Sequence, residues 1–111
     1  MKLPIGQAQA VVAEYFESVV LPAVSAAGGV TPFVFGMAGG LMVRRVPQMI
    51  DQYSPMMKEL GILDAENRLD IDILYEEALK SIERTPVIVA GYRADRSDIE
   101  KLKSIMEKYG V

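Results

Sequence analysis

The twenty-five residues from 19 to 43, VVLPAVSAAGGVTPFVFGMAGGLMV, carry no charge, and they end on the doublet Arg44 and Arg45. No other stretch restricts the fold as strongly. A run of this kind has to lie in a bilayer, in the molecule's own core, or against another copy of the chain.

The run has the length of a membrane-spanning helix, which needs about twenty apolar residues, and its basic flank suits a cytoplasmic end. Its interior argues against one straight span. Pro22 interrupts the helical pattern, Gly28 and Gly29 make a helix stop, and Thr31 followed by Pro32 is a restart, with threonine as N-cap and proline at the first helical position. The expectation is two shorter helices meeting in a hairpin, each too short to cross about 30 Å of hydrocarbon.

The second half of the run alternates bulk with its absence. Phe33, Phe35, Met37, Leu41 and Met42 are large, whereas Gly36, Gly39 and Gly40 are bare, and Gly36 and Gly40 form a G-x-x-x-G pair on one helix face. A glycine inside a helix costs about 1 kcal/mol relative to alanine, so three within five positions ask for a packing reason. The pair serves either a close crossing with the chain's own first helix or a contact between copies. For the second case the self-association face is Phe33, Phe35, Gly36, Met37 and Gly40.

At 111 residues the chain makes one core and one domain, residues 1–111. Half of the residues are hydrophobic, too many for a disordered chain. The net charge is −3 and the longest basic run is the arginine doublet, which excludes a nucleic-acid protein, because phosphate contacts need clustered Lys and Arg. Cysteine and histidine are both absent. Disulfides, thiolate nucleophiles, cysteine or histidine metal ligands and the usual triads go with them. No catalytic residue, cofactor or metal site is expected. The N-terminus lacks the uninterrupted apolar core of a signal peptide, since Glu14 and Glu17 break it, and the expected location is cytoplasmic.

Apolar residues at three- and four-residue spacing predict a first helix over residues 4–27, bent in its last turn by Pro22. A second helix begins at Pro32 and reaches Arg45. Pro47 is expected to kink or break it, and Ser54-Pro55 to restart a short helix that ends at Gly61. The methionines of this central third, Met37, Met42, Met49, Met56 and Met57, read as gap-filling core, and Arg44 and Arg45 as a solvated helix face.

From Asp64 the acidic spacing imitates a calcium loop, but the match fails where a metal needs it. Arg68 occupies a ligand position, Leu69 replaces the turn glycine, and Tyr75 stands where a glutamate should close the shell. The alternative is a turn across Ala65, Glu66 and Asn67 between two very short extended segments, with Asp70 capping the next helix and Asp72 in its first turn. That helix carries Ile71, Leu74, Tyr75, Ala78, Leu79 and Ile82 on one stripe, pairs Glu76 with Lys80 on the other, and stops at Thr85-Pro86. Residues 87–90 read as a strand, Gly91 as a turn, and Tyr92, Arg93 and Ala94 as the returning arm of a hairpin. Ser97 with Glu100 makes a capping box for a last helix over residues 98–109, its inner face Ile99, Leu102, Ile105, Met106 and Tyr109.

The small residues of 36–41, then Pro47-Gln48-Met49-Ile50, Leu60-Gly61-Ile62-Leu63-Asp64, Asn67, Asp70-Ile71-Asp72, Leu74-Tyr75, Gly91 and Asp98-Ile99 with Leu102 resemble a group of short uncharacterised proteins encoded in prophages and mobile elements of Gram-positive bacteria. The resemblance implies a genomic setting and brings no catalytic residues. The expected fold is mainly α within the α+β class: four to five helices in a small bundle with one short β-hairpin or strand near the C-terminus. The expected role is a non-enzymatic interaction or assembly protein whose partner is another copy or another protein. The alternative is a membrane-associated phage accessory protein, holin-like or membrane-docked.

Overall fold

The computed structural model of the protein describes residues 1–28, 32–89 and 91–111. Gly29 of the expected helix stop, the Thr31 cap and Ala90 of the expected strand lie outside these residues. The fold is mainly α with small antiparallel β elements, as the periodicity predicts.

The chain opens with a strand, β1 (Lys2–Pro4), which the helical reading from residue 4 did not anticipate. Three residues are too few to show a period, and their partner is distant in sequence: β1 pairs antiparallel with β2 (Arg68–Asp70), Leu3 opposite Leu69. On its other side Lys2 exchanges two backbone hydrogen bonds with Val111. Leu3 is fully buried there, at the centre of a core built from Val11, Ile62, Leu63, Leu69, Ile71, Ile105 and Met106.

A single turn (Ile5–Gln7) leads into α1 (Ala8–Tyr15), and the helix runs on to Ala27 through a wide turn (Phe16–Val20) and α2 (Leu21–Ala27). The wide turn is the response to Pro22. Proline lacks the N–H that would serve the Ser18 carbonyl and crowds that carbonyl, and the helix accommodates it by loosening one turn earlier, where the Leu21 N–H reaches the Phe16 carbonyl five residues back. Gly28 then adopts φ 75°, a left-handed C-terminal residue as expected of a helix stop.

The next helix, α3 (Pro32–Glu59), is unbroken over 28 residues, so neither Pro47 nor Pro55 ends it. At Pro47 the reason is visible. The Val43 carbonyl, which Pro47 cannot serve, accepts the side-chain amide of Gln9 at 3.2 Å. α3 ends in a Schellman motif around Gly61, φ 77°: Ile62 N–H donates to the Met57 carbonyl and Gly61 N–H to that of Lys58.

The turn after Gly61 is built on Asp64, whose carboxylate accepts the N–H groups of Glu66 and Arg68 at 2.9 Å each and the Arg68 guanidinium at 3.1 Å. Asn67 sits at φ 58°, a conformation asparagine tolerates. Asp70 caps α4 (Ile71–Arg84) through the Ile73 N–H, as expected, while Lys80 pairs with Glu77 rather than Glu76. β3 (Ile88–Val89) and β4 (Tyr92–Arg93) form the expected hairpin, with Gly91 at φ 84° and Arg93 exposed. α5 (Arg96–Tyr109) starts two residues earlier than expected. Its N-cap is Asp95, and the capping box is closed by Asp98 rather than by Ser97 and Glu100. α4 and α5 pack on each other and α5 on α1, while α3 rests chiefly on α1 and α2.

Candidate functional site

Because α3 rests chiefly on α1 and α2, much of its apolar surface is exposed. Among the described residues thirteen large apolar side chains are exposed, and nine belong to α3 or its first following residue: Phe33, Val34, Met37, Leu41, Met42, Met49, Tyr53, Met56 and Leu60. Monomers commonly scatter such residues singly, and here they are concentrated on one helix. The reading of the methionines as core fails for Met37, Met42, Met49 and Met56, all 45–60 % exposed, and holds for Met57, which packs against the main core. Their exposure depends on how many neighbours α3 has, which helical spacing does not encode.

The five residues of the expected self-association face divide in two. Phe35 is engaged inside the chain, its ring stacked on Phe16 with centroids 5.2 Å apart. Phe33 and Met37 are exposed, and a Cβ placed at Gly36 or Gly40 would meet nothing within 4 Å. The close internal crossing is made instead by Gly39, where a Cβ would overlap the Phe16 ring. The internal crossing is therefore made at Gly39, outside the Gly36 and Gly40 pair, which faces open space.

Two grooves flank the α1–α3 contact on opposite sides. On the Gly36 and Gly40 side a groove of about 320 Å³ runs past Phe16 and Leu21 but is also lined by Glu17 and Arg44. On the other side a purely apolar groove of about 300 Å³ is lined by Val12, Tyr15, Phe35, Ala38 and Met42. It adjoins, through the shared Val12, a second groove of about 270 Å³ between α3 and the pair α4–α5, lined by Val11, Met49, Tyr53, Leu74 and Met106.

The acidic residues serve the fold. Glu14, midway along the first helix, accepts from Lys108 Nζ at 2.8 Å and from the Tyr109 hydroxyl at 3.0 Å, and these two bonds hold its carboxyl below the usual range. Asp98, 2 % exposed, accepts from the Tyr92 hydroxyl at 2.6 Å and from the Asp95 N–H at 2.8 Å. That bond, with burial adding to it, pushes the Tyr92 phenol up to about 12, and burial does the same for Tyr15. Sequence reading missed this cluster, because a buried carboxylate in a helix's first turn looks like any solvated one. Among the described residues no three Asp or Glu side chains converge as metal ligands would.

Among the described residues one helix, Ile5–Ala27, is long and apolar enough to cross a membrane by length and composition. The expectation that both pieces of the apolar run are too short therefore needs correcting: the run is cut at Gly28, but the helix before it begins well upstream of the charge-free stretch. It also carries Glu14, fixed to α5. Comparison with protein-family models, curated proteins and solved structures returns no match for the chain.

Proposed function

We propose that this is a small, non-enzymatic interaction protein that works by associating with copies of itself through α3, in the prophage-type setting suggested by the sequence resemblance. One observation carries the reading: among the described residues, nine of the thirteen exposed large apolar side chains lie along this one helix or on the residue after it. Burying them against a second copy removes apolar surface from water at roughly 25 cal/mol per Å², and a two-fold dimer is the commonest way a soluble chain closes such a patch. The acidic groups that have partners hold a turn, two helix caps and the α1–α5 contact. Sedimentation of the intact chain over a range of concentrations tests the proposal. A mass that rises to twice the chain mass supports it, and a monomer throughout rejects it.

A second reading has its own observation. Phe33, Val34, Met37 and Leu41 are exposed around the N-terminal half of α3, and the charge-free stretch stops at exposed Arg44 and Arg45, an apolar tip above a basic collar. Such a tip fits one leaflet of an anionic membrane. Co-sedimentation of a monomeric protein with anionic vesicles, but not with neutral ones, selects this reading.

A further inference from the structure

Seven-residue spacing singles out one line of α3. Met42, Met49 and Met56 are two helical turns apart and 45 %, 46 % and 50 % exposed, and Tyr53 and Leu60, also seven apart, run beside them at 46 % and 56 %. Apolar residues repeated at this interval keep one seam facing a neighbouring helix. This seam borders the two apolar grooves that share Val12, one against α1 and one against α4 and α5, and these run along α3 as a trough from Phe35 to Met57. From residue 35 to residue 56 the seam runs about 30 Å at 1.5 Å per residue, six turns of helix.

The geometry points to the α3 helix of a second copy as the occupant, laid antiparallel in this trough about a two-fold axis at Met49. This inference rests on the self-association reading and assigns it a surface. Three features select the occupant. The seam is self-complementary: Met42 and Met56 are equidistant from Met49, so a two-fold through Met49 sets Met42 of each copy against Met56 of the other. Each chain also supplies one ridge and one trough, so a pair leaves neither unused. Finally, both grooves are lined by apolar side chains with no charged residue among them, so a helix with a methionine seam is covered there without desolvating a charge. Methionine suits such a seam, because its flexible side chain fills an irregular groove. The opposite groove at Gly36 and Gly40 is the weaker candidate, since a helix laid there would have to desolvate Glu17 and Arg44.

The absence of cysteine makes the test direct. Met49→Cys places one thiol on the axis, and mild oxidation is expected to convert most of the protein to a covalent dimer. Gly40→Cys is expected to remain uncrosslinked. An equimolar mixture of Met42→Cys and Met56→Cys chains is expected to give the mixed dimer, which a parallel pair cannot form. As a check that does not depend on thiols, Met49→Lys is expected to raise the dimer dissociation constant at least tenfold while the circular dichroism stays native. A dimer in which Gly40→Cys crosslinks and Met49→Cys does not overturns the assignment and leaves self-association standing. A monomer that binds vesicles, or remains free at every concentration, overturns both.

Discussion

The side-chain amide of Gln9 donates to the backbone carbonyl of Val43 at 3.2 Å, and Val43 is the residue whose helical partner would have been the missing N–H of Pro47. A side chain on the first helix thus takes the place of a backbone donor in α3 and fastens the two helices together. The bond is exposed, so its worth is modest. Gln9→Ala is expected to cost about 0.5–1 kcal/mol, and nothing in a Pro47→Ala background where the backbone bond is restored. A double-mutant cycle by urea unfolding measures that coupling.

The three glycines of α3 should behave differently on substitution. Gly39→Ala drives a methyl into the Phe16 ring and is expected to destabilise the protein by about 1–3 kcal/mol, as overpacking does. Gly36→Ala and Gly40→Ala meet open space and are expected to stabilise it by up to about 1 kcal/mol each through helix propensity. Chemical denaturation of the three variants decides it.

Asp98 and Tyr92 join the hairpin to the start of α5. Asp98→Ala leaves the Tyr92 hydroxyl and the Asp95 N–H without an acceptor and is expected to cost about 1–3 kcal/mol. The Tyr92 phenol is raised to about 12, so the folded state holds this proton more tightly than the unfolded state. Its contribution is complete below the ordinary tyrosine value near 10 and is lost as pH rises through about 12. Absorbance titration of the phenolates should show the late component lose one group in Tyr92→Phe, with that of Tyr15 remaining.

At the acid end the sign reverses. Hydrogen bonds hold Glu14, Asp64, Asp70 and Asp95 below their ordinary values of 4.5 and 3.8. These groups bind protons less readily folded than unfolded, so their stabilisation is present above about pH 4 and lost as pH falls through the lowered values. With no histidine, the urea midpoint should be nearly flat between about pH 5 and 8 and fall below about 4. A midpoint that changes steeply near pH 6.5 contradicts this assignment.

Much of the architecture is legible in the sequence because local chemistry dictates it. Asp70 before Ile71, Gly61 after Leu60 and Gly91 between two short strands mark boundaries that the structure keeps. The unreadable parts depend on distant partners. β1 exists because residues 68–70 offer an edge, and α3 survives Pro47 because Gln9 supplies a donor from another helix. The same limit applies to the candidate surface. The spacing identifies Phe33, Met37 and the glycines as unusual, but which methionines stay uncovered depends on α5 packing against α1 and α4 and leaving one side of α3 open.

Closure of the open side of α3 by a second copy, as proposed above, is read out by sedimentation equilibrium of the native chain beside Met49→Lys. The native protein is expected at twice the 12.2 kDa chain mass and the variant shifted toward the single mass, with the fold unchanged. A native protein that sediments at the single-chain mass up to the highest attainable concentration contradicts it.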